Sequence, residues 1–485
     1  MKLKDLLKSI YDQPLAESFW DYDISGIYAD SRKVEKNGLF VALKGFQYDG
    51  TQFISGAITK GARVIVTQSV FADAEKYPGV CFLTVDDVKQ FLKGLALNFF
   101  GKLSEKIKVI GVTGTNGKTT ITHLIEAILH EAGLSCGVIG TVNYRMGQKK
   151  MPSANTTPSF LDLQKLLTDM INEGVEYCVM EVSSHALDQG RVDLIDFHTA
   201  VFTNLTSDHL DYHQTLDNYF RVKSKLFIDL ISSARAVINI DDSYGRKLPS
   251  KTHAHVVTYG IKNNADVRAE DIKINIAGTE FKLACIQGET LIRTKLIGNY
   301  NIYNILAAIA VCLQEGISID KIKSAVEHVK NVPGRLESVH CQQEYSILID
   351  YAHTQDALEN VLHTLRATTD ARIILVFGCG GDRDKTKRPA MGRVAGELAD
   401  FCIITSDNPR SEEPEAIIND ILAGLQTNNY KVIVDREKAI GEALSMARKD
   451  DIVLIAGKGH ETYQIFKDKT INFDERKVIR QILLC

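Results

Sequence analysis

A glycine-rich stretch, GVTGTNGKTT at residues 111–120, carries the residue types of a phosphate-binding loop. Gly117, Lys118 and Thr119 stand in the order in which backbone amides and a lysine bind phosphates and a hydroxyl ligates Mg²⁺. The standard spacing has another glycine five residues before the Gly-Lys pair, whereas this chain has Val112 there. The loop predicts nucleotide binding, and because no NKxD-like segment for guanine is present, ATP is favoured.

The segments on either side of the loop predict how it is positioned. IKVIGV is typical of a buried strand, and TTITHLIEAILHEAG has apolar residues at helical spacing before a stop at Gly133. A strand–turn–helix unit directs backbone N–H groups and a helix N-terminus to one point, which makes an anion site. The residues predicted to bind ATP here are Gly114, Thr115, Asn116, Gly117, Lys118, Thr119 and Thr120.

Two later strand ends supply candidate metal ligands. The apolar run in EYCVMEVSSH ends at Glu181, and TAVFTNLTSDHLDYH leads into His209. Ligands of open α/β sheets bind beyond the carboxyl ends of the strands, so both side chains are candidates for the Mg²⁺ of the loop. Taken singly, a salt-bridge glutamate and a solvated or capping histidine are the alternatives.

The wider pattern predicts an α/β protein of three domains, because 485 residues exceed what one compact core needs. Residues 1–103 are predicted to form a small mixed α/β N-terminal domain that ends at the polar GKLSEK. Residues 104–334 are predicted to form a central P-loop domain with a mostly parallel sheet. Residues 335–485 are predicted to form a Rossmann-like, doubly wound C-terminal domain that begins near VPGRLES.

Composition and charge exclude several classes of function. The net charge of -4 without long single-sign runs argues against nucleic-acid and anionic-membrane binding. The chain has no secretory signal and no membrane-spanning run, so a cytoplasmic protein is expected, as a monomer. Its nine cysteines are scattered without a CxxC pair and are expected to be reduced, mostly as packing residues.

Ten motifs in order carry a resemblance to a known family: GTNGKTT, EVSSH, NLTSDHLDYH, YFRVKSKLF, GNYNIYN, PGRLE, DYAHT, GDRDKTKRP, DNPR and AGKGHE. Over essentially its whole length the chain resembles the Mur ligases of peptidoglycan precursor synthesis. In that family GxxGTNGKT is the normal loop, which makes Val112 a family variant. The resemblance implies that ATP converts a carboxylate into an acyl phosphate, from which an amine then displaces phosphate.

The resemblance also implies two Mg²⁺ ions. Thr119 and Glu181 would ligate the ion nearer the ATP phosphates, and His209 would help to hold the second. Lys223 matches a lysine that the family carries as an N-carbamate formed with CO₂, a reaction that requires a neutral amine and hence a lowered pKa. Lys225 is the less favoured candidate, because the Y-x-x-x-K-x-x-L-F spacing selects Lys223.

Further family positions are implied for the nucleotide. Asn301 and Asn304 of GNYNIYN correspond to positions near ATP, with a helix cap as the alternative. Arg335 and Asp350 fall where the family closes its C-terminal domain over ATP, with an interdomain salt bridge as the alternative. His353 is similar.

The substrate that the resemblance implies is UDP-N-acetylmuramoyl-L-Ala-D-Glu. Its UDP end would bind the N-terminal domain, and its sugar and peptide would bind the central domain. The matching residues are Ser31, Phe46, Gln47, Tyr48, Asn155, Thr156, Thr157, Ser183, Gln189 and Arg191.

The segment SDNPRSEEP is the most informative about the amine. Asn408 precedes a proline, which disfavours helix and predicts an extended turn, so Arg410 can present its planar fork to a carboxylate. In the family DNPR accompanies meso-2,6-diaminopimelate, whose distal carboxylate lysine lacks. The implied pocket has Arg383 for the α-carboxylate end and Glu461 for an ammonium, and consists of Arg383, Asp407, Asn408, Pro409, Arg410, Gly457 and Glu461.

The expected function is therefore an ATP-dependent amide ligase that uses meso-2,6-diaminopimelate. L-lysine as the amine is the nearest alternative. A folylpolyglutamate synthetase would share GTNGKT but would not need the uridine-binding domain, and a P-loop ATPase switch would form no bond. FGCGGDRD has Arg383 where a dinucleotide fingerprint requires glycine or alanine, which excludes NAD.

Overall fold

The computed structural model describes residues 1–45, 48–147, 149–275 and 277–485. Its strands are β1 Ile27–Tyr28, β2 Gly38–Val41, β3 Ala62–Thr67, β4 Cys81–Thr84, β5 Lys108–Thr113, β6 Cys136–Ile139, β7 Asn143–Met146, β8 Lys149–Pro152, β9 Tyr177–Glu181, β10 Thr199–Phe202, β11 Arg235–Asn239, β12 His255–Gly260, β13 Val267–Asn275, β14 Gly278–Cys285, β15 Gly288–Thr294, β16 Glu337–Ser338, β17 Ser346–Asp350, β18 Ile373–Phe377, β19 Phe401–Ile404, β20 Tyr430–Val432, β21 Ile452–Ala456, β22 Tyr463–Ile465 and β23 Thr470–Asn472.

The α-helices are α1 Leu3–Leu6, α2 Glu17–Trp20, α3 Ile54–Thr59, α4 Val88–Phe100, α5 Lys118–Glu131, α6 Phe160–Asn172, α7 Ser184–Asp188, α8 Leu210–His213, α9 Leu216–Ile228, α10 Asn299–Gln314, α11 Ile319–His328, α12 Gln355–Thr368, α13 Lys387–Leu398, α14 Pro414–Leu422, α15 Arg436–Met446 and α16 Glu475–Leu483. Within the described ranges, none of these helices is both long enough and apolar enough to cross a membrane.

The chain forms two compact units. The first consists of Met1–Val109, Thr157–Cys178 and His185–Phe197, and the second of Ile110–Thr156, Val179–Ser184 and His198–Cys485.

A four-stranded parallel sheet in the order β1-β2-β3-β4 lies in the first unit. Alternate residues of its strands enter two apolar clusters, as the period of two in a strand requires. α4 contributes Leu92 and Leu95 to one cluster, and the Asp87 side chain caps this helix by accepting from the Lys89 and Gln90 backbone N–H groups.

The largest sheet runs in the order β15-β14-β13-β12-β11-β10-β5-β9-β6-β7-β8. β5, β10, β11, β12 and β13 pair in parallel, whereas β13-β14-β15 and β6-β7-β8 are antiparallel. The predicted parallel core is present, but antiparallel strands extend it at both edges. These hairpins were not predicted from the sequence.

A six-stranded sheet in the order β16-β17-β21-β18-β19-β20 lies near the C-terminus. All of its pairs are parallel except β16-β17. Leu375 and Leu454 face one apolar cluster, whereas Val376 and Ile455 face another, so helices cover both faces. This confirms the Rossmann-like, doubly wound fold class.

Each main sheet falls within one of the three predicted segments, since β1–β4, β5–β15 and β16–β21 lie inside residues 1–103, 104–334 and 335–485. The domain boundaries themselves stay predictions.

The expectation that all the cysteines are reduced is wrong for two of them. Cys341 and Cys485 form a disulfide, although 144 residues separate them in sequence. No spacing rule reveals such a pair, because only the fold of the C-terminal segment brings the two residues together. The other seven are free, and all of these except Cys285 are buried, as packing residues should be.

The Leu454→Ala variant should lower the free energy of unfolding by about 2–5 kcal/mol, because it leaves a cavity in the centre of β21. Leu454 is fully buried there. Urea unfolding followed by circular dichroism measures the change. The matched control is Leu484→Ala, at a position that is 93% exposed, where the change should stay below about 0.5 kcal/mol. Equal unfolding midpoints for the two variants would contradict the placement of Leu454 in the core.

Candidate functional site

The glycine-rich loop at residues 114–117 links β5 to α5, as predicted. Gly114 (φ 149°) and Gly117 (φ 90°) both have backbone conformations that favour glycine. A side chain at Gly117 would also overlap the amide oxygen of Asn304. Val112 lies inside β5 and is fully buried. The position where the standard motif has glycine is thus a core strand position in this chain.

Two lysine side chains converge on one carbonyl oxygen of the loop. Lys118 and Lys223, on α5 and α9, each place Nζ 2.9 Å from Gly114 O. Lys223 is only 1% exposed, and burial lowers its pKa far below the usual value, with a further contribution from the charge of Lys118. Burial also lowers the pKa of Lys118, against the opposing charge of Glu181. The pKa shift at Lys223 favours the neutral amine, which is the form that reacts with CO₂.

Glu181 ends β9, is 1% exposed, and meets the loop through Thr119. Its Oε1 accepts from Thr119 Oγ1 at 3.0 Å and from Thr141 N at 2.9 Å, and its Oε2 accepts from Thr141 Oγ1 at 2.9 Å. The structure therefore brings the two predicted ligands of the first Mg²⁺ within hydrogen-bond distance. Hydroxyl and carboxylate oxygens are suitable ligands for this cation.

His209 lies immediately before α8 in a left-handed conformation (φ 55°), and its side chain is 45% exposed. Burial lowers its pKa, although the Asp208 carboxylate opposes the shift. Burial alone would raise the pKa of Asp208, but the charges of His209, His353 and Lys118 outweigh it and lower the pKa. Asp208 lines a cavity that His209 also lines and that is described below. It was not predicted from the sequence, although it directly precedes His209 in TSDHLD.

Within the described ranges, no three His, Cys, Asp or Glu side chains are grouped so as to hold a metal ion. A site at Thr119 and Glu181 would rely on one hydroxyl and one carboxylate. A second site at His209 and Lys223 lacks an oxygen ligand unless the lysine is carbamylated, since an amine is a poor ligand for Mg²⁺. His209 and Lys223 themselves thus offer a second ion an oxygen ligand only when the lysine is carbamylated, and carbamylation stays a prediction.

Residues after position 334 reach the loop directly. Arg335 Nη2 donates to Thr119 Oγ1 at 3.3 Å, and its guanidinium lies 4.9 Å from the centre of the Tyr351 ring. Asp356 Oδ2 accepts from Asn116 Nδ2 at 2.9 Å and from Thr206 Oγ1 at 3.0 Å. The sequence analysis identified Arg335 but missed Asp356, because an acidic residue in the first turn of a helix is common and carries no specific signal.

Asp350 supports the turn that carries Arg335. Its carboxylate accepts from the backbone N–H groups of Leu336 at 2.7 Å and Ala352 at 2.8 Å. Burial raises its pKa, and the charge of Arg335 opposes this. His353 lies beside it in the cavity, where burial lowers its pKa to about 4.

Asn301 and Asn304 of GNYNIYN lie inside α10 and do not cap it. Asn301 Nδ2 donates to Ile297 O at 2.8 Å, and Asn304 Nδ2 donates to Asn301 Oδ1 at 3.1 Å. Asn304 faces Gly117 and lines the cavity, whereas Asn301 fixes the orientation of Asn304.

These groups surround a cavity of about 510 Å³, within the usual range for ligand sites. Its lining combines residues of the loop, strand ends, α9, α10 and the segment after position 334. The predicted residues that line it are Thr115, Asn116, Gly117, Lys118, Thr119, Thr120, Thr156, Glu181, Ser183, His209, Lys223, Asn304, Arg335 and Asp350.

The predicted UDP-sugar residues divide between the two units. In the first, Arg191 donates to Thr157 O at 3.1 Å and to Gln189 Oε1, Tyr48 is 65% exposed, and Ser31 begins a short 3₁₀ turn. In the second, Thr156 Oγ1 lies 3.0 Å from Thr141 Oγ1, Asn155 O accepts from the Tyr144 hydroxyl, and Ser183 lines the cavity. Phe46 and Gln47 lie outside the described residues.

The predicted amino-acid residues come together at the C-terminal ends of β18, β19 and β21. Arg410, in a left-handed conformation (φ 52°), donates to Gly381 O at 2.7 Å, and Asn408 Nδ2 donates to Glu461 Oε2 at 2.8 Å. Asn408 and Pro409 are non-helical, as the Asn-Pro pair predicts, and Gly457 approaches Asp407. Arg383 is exposed. Across the residues that the structure describes, neither Arg383 nor Arg410 forms a salt bridge.

A buried arginine joins the loops that carry Arg383 and Arg410. Arg388 on α13 is 0% exposed and donates to both oxygens of the Glu412 carboxylate, at 3.0 and 2.8 Å, and to Gly380 O. The Arg388 guanidinium lowers the pKa of Glu412 to about 2. Sequence reasoning missed this pair, because neither residue differs in type from an ordinary surface charge.

Comparison with known families assigns most of the chain. The Mur ligase family catalytic domain matches residues 23–100, the Mur ligase middle domain matches 112–312, and the Mur ligase glutamate ligase domain matches 334–459. The chain is 46% identical, over all of its length and 99% of theirs, to proteins from Clostridium tetani and Clostridium botulinum. Both relatives are named UDP-N-acetylmuramoyl-L-alanyl-D-glutamate–2,6-diaminopimelate ligase.

Solved structures agree with this assignment. A UDP-N-acetylmuramoyl-L-alanyl-D-glutamate–2,6-diaminopimelate ligase is 33% identical, with a TM-score of 0.70 over 100% of this chain and 98% of that one. A MurF ligase from Thermotoga maritima in complex with ADP is 20% identical, with a TM-score of 0.65 over 94% of this chain and 96% of that one, and supports the fold alone. By its sequence identity to these relatives over its full length, the chain belongs to the Mur ligase family.

Proposed function

We propose that this chain is an ATP-dependent ligase that joins meso-2,6-diaminopimelate to the γ-carboxylate of D-Glu in UDP-N-acetylmuramoyl-L-Ala-D-Glu. The observation that carries the proposal is the cavity in which Lys118, Lys223, Glu181 and Arg335 surround the phosphate-binding loop. The names of relatives that are 45–46% identical over the full chain support the choice of substrates. A cytoplasmic, monomeric enzyme remains the expectation.

The chemistry needs positive charge at the loop. A carboxylate does not condense with an amine unaided, because its oxygen is a poor leaving group. Phosphoryl transfer from ATP activates the carboxylate but brings two anions together, so neutralising their charge dominates the barrier. Lys118 supplies a cation from the loop and Arg335 supplies a second from the C-terminal segment. The neutral amine then attacks the carbonyl carbon of the acyl phosphate, the C–O bond to phosphate breaks, and phosphate leaves as the amine loses a proton. The cavity protects the acyl phosphate from water.

Two Mg²⁺ ions belong to the proposal. Thr119 and Glu181 would hold one, and His209 with the carbamate of Lys223 would hold the other. Ions bound there would neutralise phosphate oxygens. Thr141 keeps the Glu181 carboxylate in place by donating to both of its oxygens. A carbamate on Lys223 would replace a buried neutral amine by an anionic group, which Lys118 then neighbours favourably.

In this proposal, residues at the end of the C-terminal sheet discriminate between diaminopimelate and lysine as the amine substrate. Arg383 and Arg410 have no acidic partner among the described residues, so they can each receive a carboxylate of the substrate. Diaminopimelate has two carboxylates, whereas lysine has one. Lysine would leave the Arg410 guanidinium without its ligand, which is a costly form of rejection.

Phosphate release from ATP, with UDP-N-acetylmuramoyl-L-Ala-D-Glu and a panel of candidate amines, tests the proposal. Release should require both the UDP-sugar dipeptide and an amine, and should be fastest with meso-2,6-diaminopimelate. Lys118→Ala should reduce it by about 10²–10³-fold or more, because the loop loses its cation. Lys262→Ala, at an exposed position, is the matched control. Release that needs no amine would identify an ATPase switch instead.

The Lys223→Ala variant should be nearly inactive and should recover partly when short carboxylic acids are added, because these replace the carbamate oxygens. Lys225→Ala on the same helix is the control and should need no rescue. The ¹³C NMR spectrum of the wild type in ¹³C-bicarbonate should show a carbamate resonance that Lys223→Ala lacks. Full activity of Lys223→Ala without added acid would remove the carbamate from the mechanism.

The Arg410→Ala variant should lose at least about 30-fold in kcat/KM for meso-2,6-diaminopimelate, because a carboxylate loses its charged partner. Its kcat/KM for L-lysine should change little. Steady-state kinetics with both amines measure the ratio, and Arg393→Ala, at an exposed position of α13, is the control. Equal use of the two amines by the wild type would refute the assignment of Arg410.

A further inference from the structure

A lysine lies buried in the predicted amino-acid pocket, and in the chain it stands between the pocket residues Gly457 and Glu461. Lys458 is 0% exposed, and its Nζ donates to Asp407 Oδ1 at 3.3 Å, Asn408 Oδ1 at 3.1 Å and Glu461 Oε2 at 3.2 Å. It follows β21 between Gly457 (φ 114°) and Gly459 (φ 55°), whose conformations favour glycine. A lysine is rarely buried so completely. The ammonium of this one donates to three pocket side chains and lies 5.7 Å from the centre of the Tyr463 ring.

The lysine fixes the orientation of Asn408. Lys458 Nζ and the Ile465 backbone N–H can only donate, and both contact the same atom of the Asn408 amide, at 3.1 and 3.0 Å. That atom must therefore be the oxygen. The amide nitrogen consequently faces Glu461 Oε2, to which it donates at 2.8 Å.

The same arrangement leaves one oxygen of Glu461 for a ligand. Oε2 accepts from both Lys458 and Asn408, whereas Oε1 has no hydrogen bond to any residue that the structure describes. Asp407, Glu461 and Lys458 together carry a net charge of about -1, which one ammonium group would balance. Without the lysine, two carboxylates would remain close together with a charge of about -2, and Glu461 would keep its hydrogen bond from Asn408 but lose its charged partner.

Building on the proposed ligase function, we propose that Lys458 is a positioning residue that presents Glu461 Oε1 to the distal ammonium of diaminopimelate. Arg410 would then recognise the distal carboxylate and Glu461 the ammonium of the same end of the substrate. The two contacts are separable with two analogues. L-lysine lacks the distal carboxylate, whereas 2-aminopimelate retains both carboxylates and lacks the distal ammonium.

The test compares kcat/KM for meso-2,6-diaminopimelate and 2-aminopimelate in the full-length enzyme. The wild type should prefer diaminopimelate by about 10- to 150-fold, the range for a hydrogen bond to a charged group. In Lys458→Met this preference should fall to near one, through a higher KM for diaminopimelate, while the KM for ATP stays constant. Lys469→Met, at an exposed position, should keep the preference. A purely structural role would lower activity with both amines alike, which would overturn the inference.

A second comparison tests the inference even if the Lys458→Met variant folds poorly. The Lys458→Met/Glu461→Gln double variant removes both members of the ion pair, and its preference should equal that of Glu461→Gln alone, because the lysine acts through the carboxylate. A further loss of preference in the double variant would overturn the inference, as would retention of the preference in Glu461→Gln. A wild-type chain that releases no phosphate with any amine would instead refute the proposed function.

Discussion

The site depends on the closeness of two lysine nitrogens to the single carbonyl oxygen of Gly114. Two ammonium groups that each lie 2.9 Å from the same oxygen repel each other, and removal from water strengthens the repulsion. Lys223 is the more deeply buried of the two and therefore gives up its charge more readily. Lys118 begins α5 at the mouth of the loop and remains partly exposed. One lysine is thus suited to meet phosphate as a cation, and the other to react as a neutral amine.

The parallel sheet creates this closeness. β5 and β10 pair in register from Ile110–Thr199 to Thr113–Phe202, so the chain segments that follow them leave the sheet side by side. Thr203 Oγ1 then donates to Asn116 O, and Thr113 Oγ1 donates to the carbonyl of Val182 after β9. The loop is therefore held from both neighbouring strands. Rigid support of this kind lets buried charges keep their positions despite their repulsion.

The sequence was informative where chemistry requires particular residue types at particular spacings. The loop, Glu181 at its strand end and Arg410 after the Asn-Pro turn belong to that class. The alternation of apolar strands with helical segments predicted the doubly wound C-terminal sheet. Other parts depend on distant pairing, which leaves no local trace. Asp356 accepts a hydrogen bond from Asn116, 240 positions before it, and the Cys341–Cys485 disulfide joins distant segments. Lys458 becomes distinctive only through its burial. The antiparallel edge strands were missed because the alternation of apolar and polar residues along a strand does not identify the strand with which it pairs.

The left-handed backbone at Arg410 restricts which mutations can alter the choice of amine that we propose for this residue. Asparagine and glycine adopt this conformation easily, whereas valine, isoleucine and threonine are strained by their branched β-carbons. A change to one of these branched residues would combine lost recognition with a weakened loop. Substitutions at position 410 that keep the loop intact are therefore limited to a few residue types. The backbone angle thus limits which other substrates this pocket can evolve to bind.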